Sequence, residues 1–181
     1  MSNIYFTSDL HFGHENIIKY CNRPYSSAQE MDEGLIQNWN ARVRHNDIVY
    51  VLGDVFFCQV DKAKQIMHRL NGSKRLVLGN HDKLIRNQKP LQSMFEVIFP
   101  DLWHETIEGT YVAMCHYPLL TWHKAHRGAY NLHGHCHNTI PFDTTRRRLD
   151  VGVDAQGYAP ILWQEIKRKL DKIEPGDPRD Y

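Results

Sequence analysis

Ile48-Val49-Tyr50-Val51-Leu52-Gly53-Asp54 is an unbroken apolar run that ends on a glycine and an acid. Five residues of this kind, bounded by a turn signal, read as a strand. On its N-terminal side, Ser27 and Glu30 form a capping box, and Met31, Leu35, Trp39 and Val43 follow four residues apart on one helical stripe. On its C-terminal side, Val60, Ala63, Met67 and Leu70 mark a second amphipathic helix, stopped by Asn71-Gly72. A strand set between helices predicts an α/β fold.

Further strands are expected at Ile4-Tyr5-Phe6-Thr7, Arg75-Leu76-Val77-Leu78, 95–99, 110–114 and Tyr130-Asn131-Leu132, with Leu149, Val151 and Val153 alternating in one more. Pro160 fits the first turn of a last helix carrying Ile161, Leu162, Ile166 and Leu170. The sequence shows no internal linker or repeat, so residues 1–170 read as one domain. Residues 171–181, rich in proline and charge, read as a mobile C-terminal tail.

Five of these runs end in short turns with metal-competent side chains: Asp9 and His11, Asp54, Asn80, His116, then His135 and His137. In α/β sheets ligands bind beyond the carboxyl ends of strands, where such turns converge. Glycines at 13, 53, 79 and 134 allow the sharp bends. Asp-x-His or Gly-Asp alone is weak, since these residues are common in turns. Gly79-Asn80-His81-Asp82 and Gly134-His135-x-His137 are more specific. Jointly the set exceeds what packing requires. Carboxylates, imidazoles and one amide oxygen, without thiolate, suit Mn, Fe, Zn or Ni.

The composition is consistent with this. Twelve histidines are many for 181 residues and include no consecutive run, so an affinity tag does not explain them. The four cysteines show no CxxC spacing, against a disulfide framework or a thiolate zinc site. A formal net charge of +1 gives no bulk attraction for nucleic acid or membrane. No apolar run approaches a membrane span and no leader pattern opens the chain, so the expectation is a soluble, cytoplasmic protein.

The series Asp9-x-His11, Gly53-Asp54, Gly79-Asn80-His81-Asp82, His116 and Gly134-His135-x-His137 resembles the signature of calcineurin-like metallophosphoesterases. The longer opening from Ser8 to Ile18 is similar to that of small stand-alone bacterial and phage members. The resemblance implies a four-layer fold, a two-sheet β-sandwich flanked by helices. It implies two divalent metal ions, manganese foremost. Asp9, His11 and His137 would hold one, Asn80, His116 and His135 the other, and Asp54 would bridge them. It also makes His81 the acid that protonates the leaving group. The neighbouring Asp82 carboxylate is expected to fix the tautomer of His81 and raise its pKa, as a carboxylate partner does for imidazole.

The activity implied is hydrolysis of a phosphate ester, a phosphodiester of a nucleotide or similar small molecule first, a phosphomonoester second. A nucleic-acid substrate is not favoured. A protein-phosphatase role is disfavoured by Val55-Phe56-Phe57 after Gly53-Asp54. A non-catalytic scaffold should have lost ligands, and all seven positions are filled. A structural zinc site would need only four.

Substrate contacts are assigned to three residues. His14 contacts phosphate or supports a ligand, Arg23 is a bidentate phosphate fork or a surface arginine, and Arg127 belongs with Trp122, His123 and His126 to a pocket wall. Trp122 either stacks on a base or closes its own loop. Arg146-Arg147-Arg148 reads as a solvated turn or, as a minority reading, a nucleic-acid backbone contact. Asp154 reads as a supporting or capping residue rather than a ligand.

Overall fold

The computed structural model of the chain describes residues 2–175. Its elements are β1 (Ile4–Thr7), α1 (Glu15–Tyr20), α2 (Ala28–Arg42), β2 (Ile48–Val51), α3 (Val60–Arg69), β3 (Ser73–Val77), α4 (Lys83–Asn87), α5 (Lys89–Gln92), β4 (Val97–Phe99), β5 (Leu102–Ile107), β6 (Thr110–Cys115), β7 (Tyr130–His133), β8 (Arg148–Asp150), β9 (Ile161–Leu162) and α6 (Trp163–Leu170). One sheet has the order β4-β3-β2-β1-β9 and the other β5-β6-β7-β8. Strands β1 to β4 are parallel, as are β6 to β8. The fold is therefore the expected two-sheet α/β sandwich with flanking helices.

The apolar run that identified β2 fails to alternate because both of its faces are covered. Val49 and Val51 face the first core with Met31, Leu35, Trp39, Ala63 and Met67 from α2 and α3. Tyr50 and Leu52 face the second, between the sheets, with Val112, Met114, Tyr130 and Leu132 opposite. Tyr5 and Phe6 divide between the cores in the same way, and the Phe6 and Tyr50 rings stack at 5.1 Å. On the far side of the second sheet, Trp122, Ala125 and Ala129 pack over Ala113.

Two expectations at the C-terminal end change. Ile161 and Leu162 are not helical: they pair antiparallel with Phe6 and Tyr5 and close the open edge of β1. The helix starts at Trp163, where the Glu165 carboxylate accepts the Leu162 N–H at 3.3 Å. The segment after residue 170 is also docked at first. Tyr130 donates its hydroxyl to Asp171, and Ile173 is buried in the inter-sheet core. An apolar residue three positions past Leu170 simply continues the buried stripe of α6. The remainder of the expected tail, 176–181, lies outside the described residues.

Candidate metal centre

All the candidate ligands emerge at the carboxyl ends of parallel strands: Asp9 and His11 after β1, Asp54 after β2, Asn80 after β3, His116 after β6, His135 and His137 after β7. Direct bonds hold the two sheets in register here. The His116 Nδ1–H donates to the Leu52 carbonyl at 2.7 Å, and the His135 N–H donates to both Asp9 oxygens at 3.1 and 2.9 Å. The first two loops are zipped together, with Asp9, His11 and Phe12 N–H groups donating to Gly53, Asp54 and Val55.

This assembly is bought with backbone strain. Asp9, His11, Asp54, His135 and His137 all have positive φ, between 45° and 69°. That conformation disfavours any residue with a Cβ and, where observed, concentrates at functional sites. Gly53 has φ +89°, and a Cβ there would run into Gly79 and His116 Nδ1. A Cβ on Gly134 would collide with Ser8 Oγ and Asp9 Oδ2, so the second sheet could not approach.

Inside the cup, Asp54 Oδ2 lies 3.3 Å from His116 Nε2 and 3.7 Å from His11 Nε2. Asp9 Oδ1 lies 4.0 Å from the Nε2 of both His11 and His137. Among the described residues three groups have ligand atoms within 4.8 Å of one another: Asp9, His11 and His137; Asp9, Asp54 and His116; and, behind His137, Cys21, His137 and Asp154. Asn80 and His135 are exposed at the rim, the His135 ring 5.1 Å from that of His116.

Both ring nitrogens of His11 and Nε2 of His116 are buried without a hydrogen-bond partner. Leaving three such atoms orphaned costs free energy unless something else meets them. A neutral imidazole offers one ring-nitrogen lone pair, and Nε2 of His11 and of His116, beside the Asp9 and Asp54 carboxylates, fit divalent cations. Burial drives the His11 pKa down to about 2, which keeps the ring neutral, the form that binds metal. His116 and His137 each present Nε2 because the other nitrogen is bonded, His137 Nδ1 to Asp154 at 2.7 Å.

Metal uptake should therefore be linked to protons. Burial pushes Asp9 up to about 7. For His116, burial opposes the charge, but the Asp54 carboxylate 3.3 Å away and the nearby Asp9 raise the pKa to about 9. Both groups must lose their protons to bind a cation, so affinity should rise from pH 6 to 9 and then level off. Calorimetry in two buffers of different ionisation heat should count about one to two protons released per manganese-loading event at pH 7. Release of none would contradict this coupling.

Asp82 differs from its expected role. Its carboxylate is buried and accepts the N–H groups of Asp54, Val55 and Gly79 at 3.0, 3.0 and 2.8 Å, rather than the ring of His81. It ties the β2 and β3 loops together and so supports Asp54. His81 projects from the same turn, exposed, with its backbone N–H bonded to Asp54 Oδ1 at 2.9 Å.

Arg23 is neither a phosphate fork nor a surface arginine. It is 4% exposed and all its donors are used: Nε and Nη2 on Asp154 at 2.8 Å each, Nη2 on Asp9 O at 2.8 Å, Nη1 on Leu10 O at 3.1 Å and on Met31 Sδ at 3.4 Å. It clamps the Asp9 loop and holds Asp154, which in turn orients His137. The supporting role read for Asp154 is the one the structure shows.

Arg127 is also displaced. Strands β6 and β7 are parallel neighbours, so the chain leaving His116 must return to the opposite end of the sheet before β7 begins. Arg127 lies at that far end, with Gly109, Thr110 and Arg147 around it. Trp122 closes this crossover, its Nε1–H donating to Ala129 O at 3.0 Å. The three consecutive arginines staple it: Arg146 to Leu120 O, Arg147 to Gly128 O and Ile173 O, Arg148 to Leu119 O and Asp143.

His14 does lie at the mouth. It is half-buried, its ring is 5.5 Å from His11, and it stacks on Phe57 at 4.1 Å. Phe57 and Tyr117 are the site-lining residues that the sequence reading did not assign. Phe57 follows the buried Val55 and Phe56 and looks like one more core residue; only its turn out of the zipped loops brings it to the centre.

A mixed carboxylate and imidazole cup at the strand ends of this fold is suited to holding divalent cations. The chain belongs to the calcineurin-like phosphoesterases, whose family model matches residues 2–178. It is similar to an uncharacterised protein of Methanocaldococcus jannaschii, 36% identical over 95% of this chain and 93% of that one. It is also similar to the Gene 66 protein of Mycobacterium phage D29, 29% identical over 97% and 100% of the two chains. A crystal structure of an Aquifex aeolicus protein of unknown function shares the fold, with a TM-score of 0.72 at 24% identity, covering 93% of this chain and 99% of that one. Among the described residues no helix is long and apolar enough to cross a membrane.

Proposed function

We propose that the chain is a two-metal phosphodiesterase acting on a nucleotide or similar small phosphate ester, with manganese the first candidate ion. The observation that carries this reading is the cup of orphaned imidazole nitrogens around the Asp9 and Asp54 carboxylates. Asp9, His11 and His137 would hold one ion, Asn80, His116 and His135 the other, with Asp54 shared. Divalent ions there supply the positive charge that makes water nucleophilic near neutral pH and offsets charge developing on phosphoryl oxygens.

The chain's own residues do the rest. Asp154 and the Leu52 carbonyl fix the orientation of His137 and His116, while Asp82 and Arg23 hold the carboxylate loops. His81, exposed beside the cup with its ring 6.1 Å from that of His11, would give a proton to the departing ester oxygen. A diester is favoured because the arginines considered for phosphate, Arg23 and Arg127, are committed or remote. A singly charged phosphodiester makes less demand on cationic side chains than a monoester dianion.

The test compares bis(4-nitrophenyl) phosphate, 4-nitrophenyl phosphate and an alkyl nucleotide diester with and without chelator. Chelation should abolish turnover and manganese restore it, and turnover that survives chelation would overturn the mechanism. In His81→Ala, metal content should hold while the alkyl diester slows by about 100-fold and the nitrophenyl diester by far less. Equal slowing of both would remove the acid role. Faster hydrolysis of the monoester would instead make the chain a phosphomonoesterase.

A further inference from the structure

We propose that Phe57 and Tyr117, which are not among the candidate metal ligands, form two stacking surfaces for planar rings carried on the ester oxygens of the substrate. This rests on the reading of the centre as a phosphoesterase and narrows its substrates to esters of nucleosides or aryl alcohols.

The two side chains lie against different parts of the centre. Phe57 stacks on His14 at 4.1 Å with the planes 9° apart, and lies 4.9 Å from the ring of His11 and 5.0 Å from that of His81. Tyr20, 75% exposed, meets the edge of His14 and extends this wall outward. Tyr117, 46% exposed, lies 4.5 Å from the His135 ring and 5.4 Å from His116. One aromatic surface therefore borders His11 and the proposed acid, and the other borders the opposite imidazole pair.

Neither placement follows from folding needs. Val55 and Phe56 fill the core beneath Phe57, and His116 anchors the turn before Tyr117. Large aromatic groups left partly in water beside a catalytic cup are suited to meeting a ligand. A nucleobase offers a flat π-face to such a surface whatever its hydrogen-bond pattern. The wall next to His81 lies on the leaving-group side, and the Tyr117 wall serves the ester oxygen that stays. A diester with rings on both arms uses both walls, whereas a monoester uses one.

The experiment measures binding as well as rate. In the manganese-loaded protein, adenosine 5′-monophosphate should bind about tenfold more tightly than ribose 5-phosphate, the usual scale of one stacked base. Phe57→Leu should bring the two within about threefold of each other without changing metal content or melting temperature, and Phe57→Tyr should restore the gap. Tyr117→Leu should cut kcat/KM about tenfold for bis(4-nitrophenyl) phosphate, and less than about threefold for 4-nitrophenyl phosphate. Equal affinity of wild type for both monophosphates, or a gap that Phe57→Leu leaves intact, would overturn the proposal. Absence of any hydrolysis would instead strike the phosphoesterase reading, since the binding arm needs no turnover.

Discussion

Asp54→Asn should lose at least about a thousandfold in kcat/KM with manganese, a little over 4 kcal/mol of transition-state stabilisation at 1.36 kcal/mol per decade. The substitution changes charge and almost nothing else. Asparagine tolerates the left-handed φ of 57° at this position. Its Oδ1 can still accept the His81 N–H that Asp54 accepts at 2.9 Å. Folding should therefore survive, although the metal-free variant loses the charge facing His116 and should melt somewhat below wild type at neutral pH. What disappears is the anion shared by the two ligand sets, so metal occupancy should fall with activity. A second readout follows from His116. Burial works against its charge, and the Asp54 carboxylate 3.3 Å away is the leading contribution that raises its pKa to about 9. In metal-free Asp54→Asn that support is lost, so an NMR titration of His116 should move to lower pH. Full activity in this variant would remove Asp54 from the bridging position.

How much of this could be read from the chain depends on what fixes each residue. The ligand loops were legible because an apolar strand followed by Gly-Asp, Gly-Asn-His or Gly-His-x-His leaves few uses for its polar side chains. Their position just past the carboxyl ends of the strands then predicts that they converge. Asp82 was misread because its neighbour His81 suggested a pair. The direction of its side chain is set by three backbone N–H groups on two loops, and no sequence pattern encodes those. Arg127 was misplaced for a topological reason: sequence proximity to His116 means little when a parallel crossover must carry the chain to the other end of the sheet. The edge strand Ile161–Leu162 was hidden by a proline that also suits a helix start. Phe57 and Tyr117 sit in stretches where one more aromatic residue looks like core.

Arg23 shows how a misreading becomes a test. Arg23→Met keeps the length of the side chain but strands the Asp154 carboxylate and the Asp9 and Leu10 carbonyls, all met by Arg23 in the folded chain. The pair is buried, with side-chain exposures of 0% and 5%. Removing one partner of such a pair costs about 3–5 kcal/mol. For a chain of this size that is a fall in Tm of about 6–20 °C. A phosphate fork would behave otherwise, with KM raised and Tm unchanged. Metal affinity should fall as well, by about 10- to 100-fold, because Asp154 is released from the position in which it orients His137. The two effects can be separated by the double variant Arg23→Met/Asp154→Leu. Replacing both charges with apolar groups removes the unpaired carboxylate and should recover most of the stability. It cannot give His137 Nδ1 back its acceptor, so manganese binding should stay weak in a chain that melts near wild type. Recovery of both together would mean that Arg23 and Asp154 serve the fold alone, and that His137 is held by its strained backbone without them.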